Sequence, residues 1–376
     1  MIVGDFIKTN QYSYSSKDKW KYIYYLDTGN ITENRIDEIV KLSPLVDKIP
    51  SRAKRKVKKG NIIYSTVRPN QKHYGYIDKE YDNLLVSTGF IVIDVDESIA
   101  DGKYFYYWLT QDKNTNYLQT IAENTVATYP SIAPKDIENM SIELPSLVIQ
   151  QKIARILSNY DDLIENNSKR IKILEDMAQK IYKEWFVDFK YPGHEKAQFT
   201  EIDLGKLVMP KKGKNITKAT IKNGNVPVVA GGLEPAYYHN VANTVAPVIT
   251  ISASGANAGY VKLYYEDIWA SDCSYIDNQM TPYVYYFYLY LKYNQIKVTN
   301  LQKGAAQPHV YPQDLASLKI FDIDTEIVKQ FNALVTPIFE DIKNITLKNK
   351  ILKQTRDLLL PRLISGEIDV ENLEIN

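Results

Sequence analysis

The chain has 376 residues, of which 44% are hydrophobic and 24% are charged, a balance that excludes a disordered or fibrous protein and leaves room for two or three globular domains. No apolar run approaches the ~18 residues that a membrane helix needs, and a single cysteine, Cys273, excludes an internal disulfide framework, so we expect a cytoplasmic protein without membrane contact. The formal net charge is only +1, so affinity for a polyanion would depend on local clustering of cations.

The first segment, residues 1 to 145, is predicted to be mainly β-structure. Residues 61 to 67 read Asn-Ile-Ile-Tyr-Ser-Thr-Val, a β-branched run of the kind that forms strands. Just before it, residues 52 to 59 read Arg-Ala-Lys-Arg-Lys-Val-Lys-Lys, whereas acidic residues concentrate elsewhere, as at 94 to 97. A charge run of this kind is either a solvated face or a contact surface for a polyanion.

Residues 146 to 190 are predicted to form a long helix that pairs with another helix. Pro145 precedes it, and Ser146 can cap its first turn. Side chains recur every seven residues, which keeps one face of a helix against a partner along its whole length. This row comprises Ile153, Tyr160, Asn167, Leu174 and Ile181. Flanking rows comprise Ile149, Ile156 and Leu163 on one side and Ile164, Ile171, Ala178 and Trp185 on the other.

The segment from residue 191 to residue 322 is again predicted to be mainly β-structure. Residues 247 to 252 read Pro-Val-Ile-Thr-Ile-Ser, another β-branched run. Gly255 and Gly259 predict a tight turn where the backbone approaches another element, for which a second strand is one candidate. A smaller cation cluster reads Lys-Lys-Gly-Lys at residues 211 to 214.

Residues 323 to 376 repeat the helical pattern. Their heptad row comprises Phe331, Ile338, Ile345, Leu352 and Leu359. We expect Pro337 to kink or restart this helix, because proline removes one internal hydrogen bond. Asn167, on the other predicted helix, lies at a core position of an otherwise apolar row. It either fixes the register of the helix pair or marks a solvated gap in it.

The four segments form a tandem repeat. Ala-Pro-Lys-Asp-Ile at 133 to 137 recurs as Tyr-Pro-Gln-Asp-Leu at 311 to 315, and the same offset aligns the two heptad rows. The sequence therefore predicts an α+β fold with two mainly-β domains separated by two long helices. If two helices of about 40 residues, each roughly 60 Å long, pack as an antiparallel coiled coil, the domains lie at opposite ends.

Several motifs resemble one family. Gln-Gln-Lys-Ile-Ala-Arg-Ile-Leu at 150 to 157 and Trp-Phe-Val-Asp-Phe at 185 to 189 resemble the central conserved region of type I restriction-modification specificity subunits. Arg-Asp-Leu-Leu-Leu-Pro-Arg-Leu at 356 to 363 resembles their distal conserved region, and Lys-Gly-Ala-Ala-Gln-Pro at 303 to 308 resembles part of their target recognition domains. The resemblance covers the whole chain in the family's order, although residues 1 to 145 match least well.

The resemblance implies a non-catalytic subunit of a larger complex. Each mainly-β segment would be a target recognition domain that reads one half of a split site in double-stranded DNA. The helices would form a spacer and dock two methyltransferase subunits, and restriction subunits that translocate and cleave DNA would join the assembly. The methyl donor, S-adenosylmethionine, would bind the methyltransferase subunits, so we expect no cofactor on this chain.

Candidate DNA contacts follow from chemistry and position. Lysines and arginines pair with phosphates, whereas base edges are read by side chains with suitable donors and acceptors. The phosphate candidates are Arg52, Lys54, Arg55, Lys56, Lys58, Lys59, Lys211, Lys212 and Lys214. The remaining candidates are Arg68, after the first β-run, and Lys303, Gln307 and His309, in the loop before the second helix. For each of these residues, a solvated face or a buried polar turn is the alternative.

Catalytic motifs are missing from the sequence. It contains neither the Asn/Asp-Pro-Pro-aromatic motif of a DNA methyltransferase nor a Gly-x4-Gly-Lys-Ser/Thr phosphate loop, and its four histidines show no metal-ligand spacing. We therefore expect no catalytic residue and no bound metal. The alternative to a DNA reader is a coiled-coil scaffold of a methyltransferase complex that does not itself read DNA.

Overall fold

The computed structural model describes residues 1–15, 17–124, 129–196, 200–304 and 308–373. The fold is α+β, and the chain divides into two compact units: unit 1 is Met1–Glu165 with Lys350–Asn376, and unit 2 is Asn166–Asn349. This division differs from the one expected in chain order, because each unit combines one strand-rich segment with part of both long helices.

Unit 1 contains two larger sheets. Its strands are β1 (Ile7–Thr9), β2 (Ile23–Leu26), β3 (Ile31–Thr32), β4 (Arg35–Ile36), β5 (Val40–Leu42), β6 (Ala53–Lys56), β7 (Ile62–Ser65), β8 (Tyr74–Tyr76), β9 (Leu84–Ser87) and β10 (Phe90–Val95). One sheet has the order β1-β10-β7-β8, and the other has the order β5-β2-β9-β6. The pair β3–β4 forms a small antiparallel ladder.

Three short helices pack on the first of these sheets: α1 (Gly102–Leu109), α2 (Asp112–Glu123) and α3 (Pro134–Glu138). The side chain of Asp101 caps α1 by accepting from the N–H of Tyr104 at 2.8 Å, which satisfies an otherwise unpaired donor. Alternation along β7 places Ile62 and Tyr64 in the core shared with α1, whereas Ile63 joins a second core with residues of β2 and β9. The central strands are therefore buried on both faces.

Unit 2 contains its own strands and three short helices. The strands are β11 (Glu201–Asp203), β12 (Lys211–Lys212), β13 (Val226–Val229), β14 (Tyr237–His239), β15 (Val248–Ser252), β16 (Val261–Tyr264), β17 (Trp269–Ala270), β18 (Cys273–Asp277) and β19 (Lys319–Phe321). The helices are α5 (Val284–Tyr293), α6 (Gln295–Thr299) and α7 (Pro312–Ala316). Its sheets have the orders β12-β18-β15-β16, β14-β13-β17 and β11-β19.

The predicted repeat is visible in the topology. The order β1-β10-β7-β8 corresponds to β12-β18-β15-β16. In the second sheet, β2 pairs antiparallel with β5 and parallel with β9, just as β13 pairs with β14 and β17. Strand β6 of unit 1 has no counterpart in the three-stranded sheet of unit 2. The first cation cluster therefore lies on an element that distinguishes the two units.

The glycine-rich turn of unit 2 approaches a helix and not a strand. Gly255 and Gly259 have positive φ angles of 76° and 84°. A Cβ atom on Gly259 would lie 2.9 Å from the Cα of Thr299, which is the last residue of α6. The expected close approach is present, but a helix end occupies the place where we considered a strand.

The two long helices are α4 (Leu147–Phe186) and α8 (Thr325–Ile364), each of 40 residues. In unit 2, Asn167 contacts Asn349 and Phe186 contacts Phe331, so the helical segments run antiparallel. Unit 1 has the same sense of packing, because Asp161 pairs with Arg356 and Lys152 contacts the backbone of Val370.

Proline does not restart the second long helix. Helix α8 continues through Pro337, so the expected restart is wrong. The core of unit 2 includes residues on both sides of this proline, namely Phe331, Val335, Ile338 and Phe339. Their packing keeps the chain helical although proline removes one internal hydrogen bond.

Within the described residues, no helix combines the length and the apolar character that crossing a bilayer would require.

Candidate nucleic-acid interface

The basic run at residues 52 to 59 lies on strand β6 and the turn that follows it. The register of β6 against β9 shifts between Ala53 and Arg55, so Lys54 is the extra residue of a β-bulge, a feature common at sheet edges. Arg52, Lys54 and Lys59 are exposed. None of these three cations lies within ion-pair distance of a carboxylate in the described part of the chain.

The other cations of this run already have partners or are partly buried. Lys56 pairs with Asp18 at 2.5 Å, and this hydrogen bond lowers the pKa of the Asp18 carboxyl. Lys58 pairs with Asp94 at 3.0 Å. Arg55 is half-buried, and desolvation lowers its pKa. The structure therefore divides six equivalent-looking candidates into a free set of three, a pair engaged by carboxylates and one half-buried arginine.

In unit 2, the cation cluster lies on a sheet edge. Lys211 and Lys212 form β12, the edge strand that pairs with β18, and both are exposed. Lys214 is exposed too, and its ammonium lies 5.9 Å from the centre of the Trp269 ring. Across the described ranges, none of the three pairs with a carboxylate.

The remaining candidate residues, which lie in turns and loops, differ in their contacts. Arg68 is exposed, has a φ angle of 48°, and lies with its guanidinium 5.7 Å from the centre of the Tyr129 ring. The ammonium of Lys303 pairs with Asp314 at 2.5 Å. The ring of His309 stacks on Tyr311 with centroids 6.0 Å apart. Gln307 lies outside the described residues.

All ten heptad positions are buried or half-buried. Within the row on α4, Ile153 and Asn167 are buried, whereas Tyr160, Leu174 and Ile181 are half-buried. On α8, Phe331, Ile338 and Ile345 are buried, and Leu352 and Leu359 are half-buried. Leu163, assigned to a flanking row, is 48% exposed and lies outside the seam.

Asn167 is buried and paired, so the solvated-gap alternative is wrong. Its side chain is 7% exposed, and its Nδ2 donates to the Oδ1 of Asn349 at 2.8 Å. Asn349, itself 9% exposed, also donates to the hydroxyl of Ser168 at 3.4 Å. A buried amide pair in an apolar seam restricts the alignments in which both polar groups are satisfied.

A second polar connection, in unit 1, joins α1 to both long helices. The hydroxyl of Tyr107 donates to one oxygen of Asp161 at 2.5 Å, and the guanidinium of Arg356 donates to the other at 2.5 Å. Arg356 also bonds Asp357 at 2.7 Å, and these carboxylates raise its pKa against the opposing effect of burial. In the sequence, Arg356 stands out only as part of a motif, and no pattern singles out Asp161 or Asn349.

No group of three or more histidine, cysteine or carboxylate side chains is placed to hold a metal ion among the residues that the structure describes. Each unit presents exposed lysines, and in unit 1 the exposed ring of Tyr129 lies beside the exposed Arg68. Such a surface can neutralise phosphates and stack or hydrogen-bond with bases.

Comparison with known proteins relates both units to one family. The family model described as the type I restriction modification DNA specificity domain matches residues 3–176 and, a second time, residues 197–353. The two matches together cover most of the chain and follow its internal repeat.

Whole-length relatives carry related names. The type I restriction enzyme HindI specificity subunit of Haemophilus influenzae is 26% identical over 440 residues, which cover 92% of this chain and 94% of the relative. The MjaIX specificity subunit of Methanocaldococcus jannaschii is 27% identical over 394 residues, covering 95% and 86%. The solved structure of a type I restriction-modification S subunit from M. genitalium shares the fold, with a TM-score of 0.60 at 17% identity and coverage of 96% and 95%.

Proposed function

This chain belongs to the type I restriction modification DNA specificity family, and from that premise we propose that it gives a restriction-modification complex its DNA sequence specificity. Each strand-rich segment contacts one half of a bipartite site on double-stranded DNA. The two halves are unlike and are separated by base pairs that neither segment reads.

The observation that carries this proposal is a repeat of topology without a repeat of surface. Both units have the same order of four strands in their first sheet. Their clusters of unpaired cations, however, lie on different elements: on the additional strand β6 and the residues flanking it in unit 1, and on the edge strand β12 and the turn after it in unit 2. Two related scaffolds with unlike surfaces fit two unlike DNA elements.

Affinity comes from the cations that lack carboxylate partners. A lysine or arginine that neutralises a phosphate releases a counterion, and the logarithm of the binding constant then falls by about 0.9 per contact for each unit of log salt. Arg52, Lys54 and Lys59 supply such contacts in unit 1, and Lys211, Lys212 and Lys214 supply them in unit 2. Lys56, Lys58 and Lys303 contribute less, since carboxylates already compensate their charges.

In this proposal the chain itself catalyses no reaction. Two methyltransferase subunits carry S-adenosylmethionine and modify the DNA, restriction subunits translocate and cleave it, and the complex works in the cytoplasm. Exposed apolar side chains on the long helices suit a protein docking surface. They are Val148, Leu163, Ile173, Met177, Leu334, Leu347, Ile351 and Leu358.

The test is the salt dependence of DNA binding by the full chain in complex with its methyltransferase subunits. Replacing Arg52, Lys54 and Lys59 by glutamine should lower the slope of log binding constant against log salt by about 2 to 3. The matched control replaces Lys56 and Lys58 by glutamine and should change the slope by less than about 1.

An unchanged slope in the triple variant would favour the scaffold alternative, provided that the complex still assembles. A scaffold that does not read DNA should show the same weak, salt-sensitive background with every variant. Assembly is followed by co-purification of the methyltransferase subunits, which neither set of substitutions should affect.

A further inference from the structure

One turn recurs in both units with the same hydrogen bonds but a different residue at its centre. It follows β7 in unit 1 and β15 in unit 2, strands that hold the same place in their sheets. Each turn is joined by an isolated bridge to the segment that leads into α3 or α7: Val67 bridges to Ser131 in unit 1, and Ser254 bridges to His309 in unit 2.

Three pairs of hydrogen bonds establish the equivalence residue by residue. The N–H of Arg68 donates to the carbonyl of Pro130 (3.0 Å), as the N–H of Gly255 donates to that of Pro308 (3.2 Å). The N–H of Ile132 donates to the carbonyl of Thr66 (2.8 Å), as the N–H of Val310 donates to that of Ala253 (2.9 Å). The hydroxyl of Ser65 donates to the carbonyl of Val67 (3.1 Å), as the hydroxyl of Ser252 donates to that of Ser254 (3.4 Å). Arg68 and Gly255 therefore occupy the same position.

The backbone at this position suits glycine. Both residues have positive φ angles, 48° at Arg68 and 76° at Gly255. A side chain in this left-handed region crowds its own carbonyl, so an arginine there costs free energy that glycine avoids. Unit 2 has the residue that the backbone favours, whereas unit 1 has a long side chain in spite of the strain.

Folding does not account for the arginine. Its side chain is exposed, and no carboxylate of the described residues lies within ion-pair distance of it. Among the residues that the structure describes, the guanidinium lies over the ring of Tyr129, which is itself 60% exposed. A strained residue whose side chain contributes no buried contact is the pattern expected where a residue is retained for binding.

We infer that Arg68 is a specificity-determining residue, which reads a guanine in the half-site contacted by unit 1, with Tyr129 as the residue that positions its guanidinium. The inference rests on the proposed function. A guanidinium presents a planar pair of donors that matches the O6 and N7 acceptors of guanine in the major groove. Stacking on an aromatic ring limits the orientations of the guanidinium before it meets DNA. Unit 2 has no side chain at this position, so it reads its half-site with other groups.

The decisive variant is Arg68→Gly, because glycine already occupies the equivalent place in unit 2. This substitution removes the side chain and relieves the strain of the left-handed backbone at residue 68. The complex should therefore assemble and should melt at a temperature no lower than that of the wild type. Arg68→Asn provides a second variant should the glycine variant be unstable, because asparagine also tolerates a left-handed backbone. Lys59→Gln is the matched control, since it removes another exposed cation of unit 1.

The readout is DNA binding by the full chain with its methyltransferase subunits, on duplexes that carry the motif found by methylation mapping. For the wild type, replacing the guanine should weaken binding roughly tenfold to a hundredfold. In Arg68→Gly, the original and the substituted duplex should bind equally, while discrimination in the other half-site stays unchanged. In Lys59→Gln, every duplex should bind more weakly by the same factor.

Two results would overturn the inference. Equal weakening of all duplexes by Arg68→Gly, with discrimination intact, would assign Arg68 to a phosphate. If Arg68→Gly bound every duplex as the wild type does, Arg68 would not contact the DNA. Both outcomes require that the wild type recognises a bipartite motif, whereas a wild-type complex without such a motif would contradict the proposed function itself.

Discussion

The amide pair between Asn167 and Asn349 allows a quantitative test of the helix seam. Asn349→Leu leaves the buried Nδ2 of Asn167 without the acceptor that it has at 2.8 Å. A buried polar group that loses its partner destabilises a protein by about 1–3 kcal/mol. Leucine has the same number of side-chain heavy atoms as asparagine and branches at the same carbon, so it can follow the path of the asparagine side chain. We expect Asn349→Leu to lower the free energy of unfolding by about 2 kcal/mol.

The double variant should recover that loss. When leucine replaces both Asn167 and Asn349, no amide is left unsatisfied, and two apolar side chains meet in an apolar seam. Replacing both partners of a buried hydrogen bond by apolar groups is nearly neutral or stabilising. The double-mutant cycle should therefore give a coupling energy of about 2–3 kcal/mol between the two positions.

The assay is urea denaturation of the full chain, followed by the helical circular dichroism signal. With a slope of about 2 kcal/mol per molar urea, Asn349→Leu should lower the midpoint by about 1 M, and the double variant should restore it. The control is Leu163→Gln, an exposed position of α4, which should shift the free energy by less than about 0.5 kcal/mol. A single variant as stable as the wild type would refute the buried pair.

Three further predictions concern other parts of the chain. Arg356→Met leaves the Asp161 carboxylate without its cation, and thermal unfolding should show a loss of about 2–3 kcal/mol; a loss below about 0.5 kcal/mol would contradict the bridging role. Burial raises the pKa of the Cys273 thiol to about 12, so at pH 8 the native protein should react with a thiol reagent about a thousandfold more slowly than the urea-unfolded chain; equal rates would show that the site is open. Burial also raises the pKa of Tyr64 and of Tyr104 to about 12. A tyrosine whose pKa is higher in the folded state than in the unfolded chain stabilises the fold at pH values below its unfolded-state pKa, and this contribution is lost as the pH rises through its folded-state pKa. The free energy of unfolding should therefore fall between about pH 10 and pH 12. Tyrosine ionisation monitored by absorbance should lag behind that of the unfolded chain, and simultaneous ionisation would count against the burial.

Features that depend on local pattern could be predicted from the sequence. The heptad rows gave two long helices, and the β-branched runs at residues 61 to 67 and 247 to 252 lie on β7 and β15. The paired Pro-containing motifs begin α3 and α7. Each of these signals extends over neighbouring residues, because helix and strand periodicity are set by the chain itself.

Features that depend on contacts between distant residues could not be predicted in this way. Lys56 and Lys58 read like their free neighbours until the fold brings Asp18 and Asp94 beside them. Arg356 meets a carboxylate 195 residues away in sequence. The division of the cations into free and engaged sets is therefore a property of the tertiary structure, and a single sequence does not reveal it.

The most direct test of the central claim is methylation mapping in a host that expresses this chain with its methyltransferase subunits. The account predicts one motif made of two unlike short elements separated by a fixed number of unread base pairs, and loss of that motif when this chain is omitted. Modification at one continuous motif, or the same motif without this chain, would contradict it.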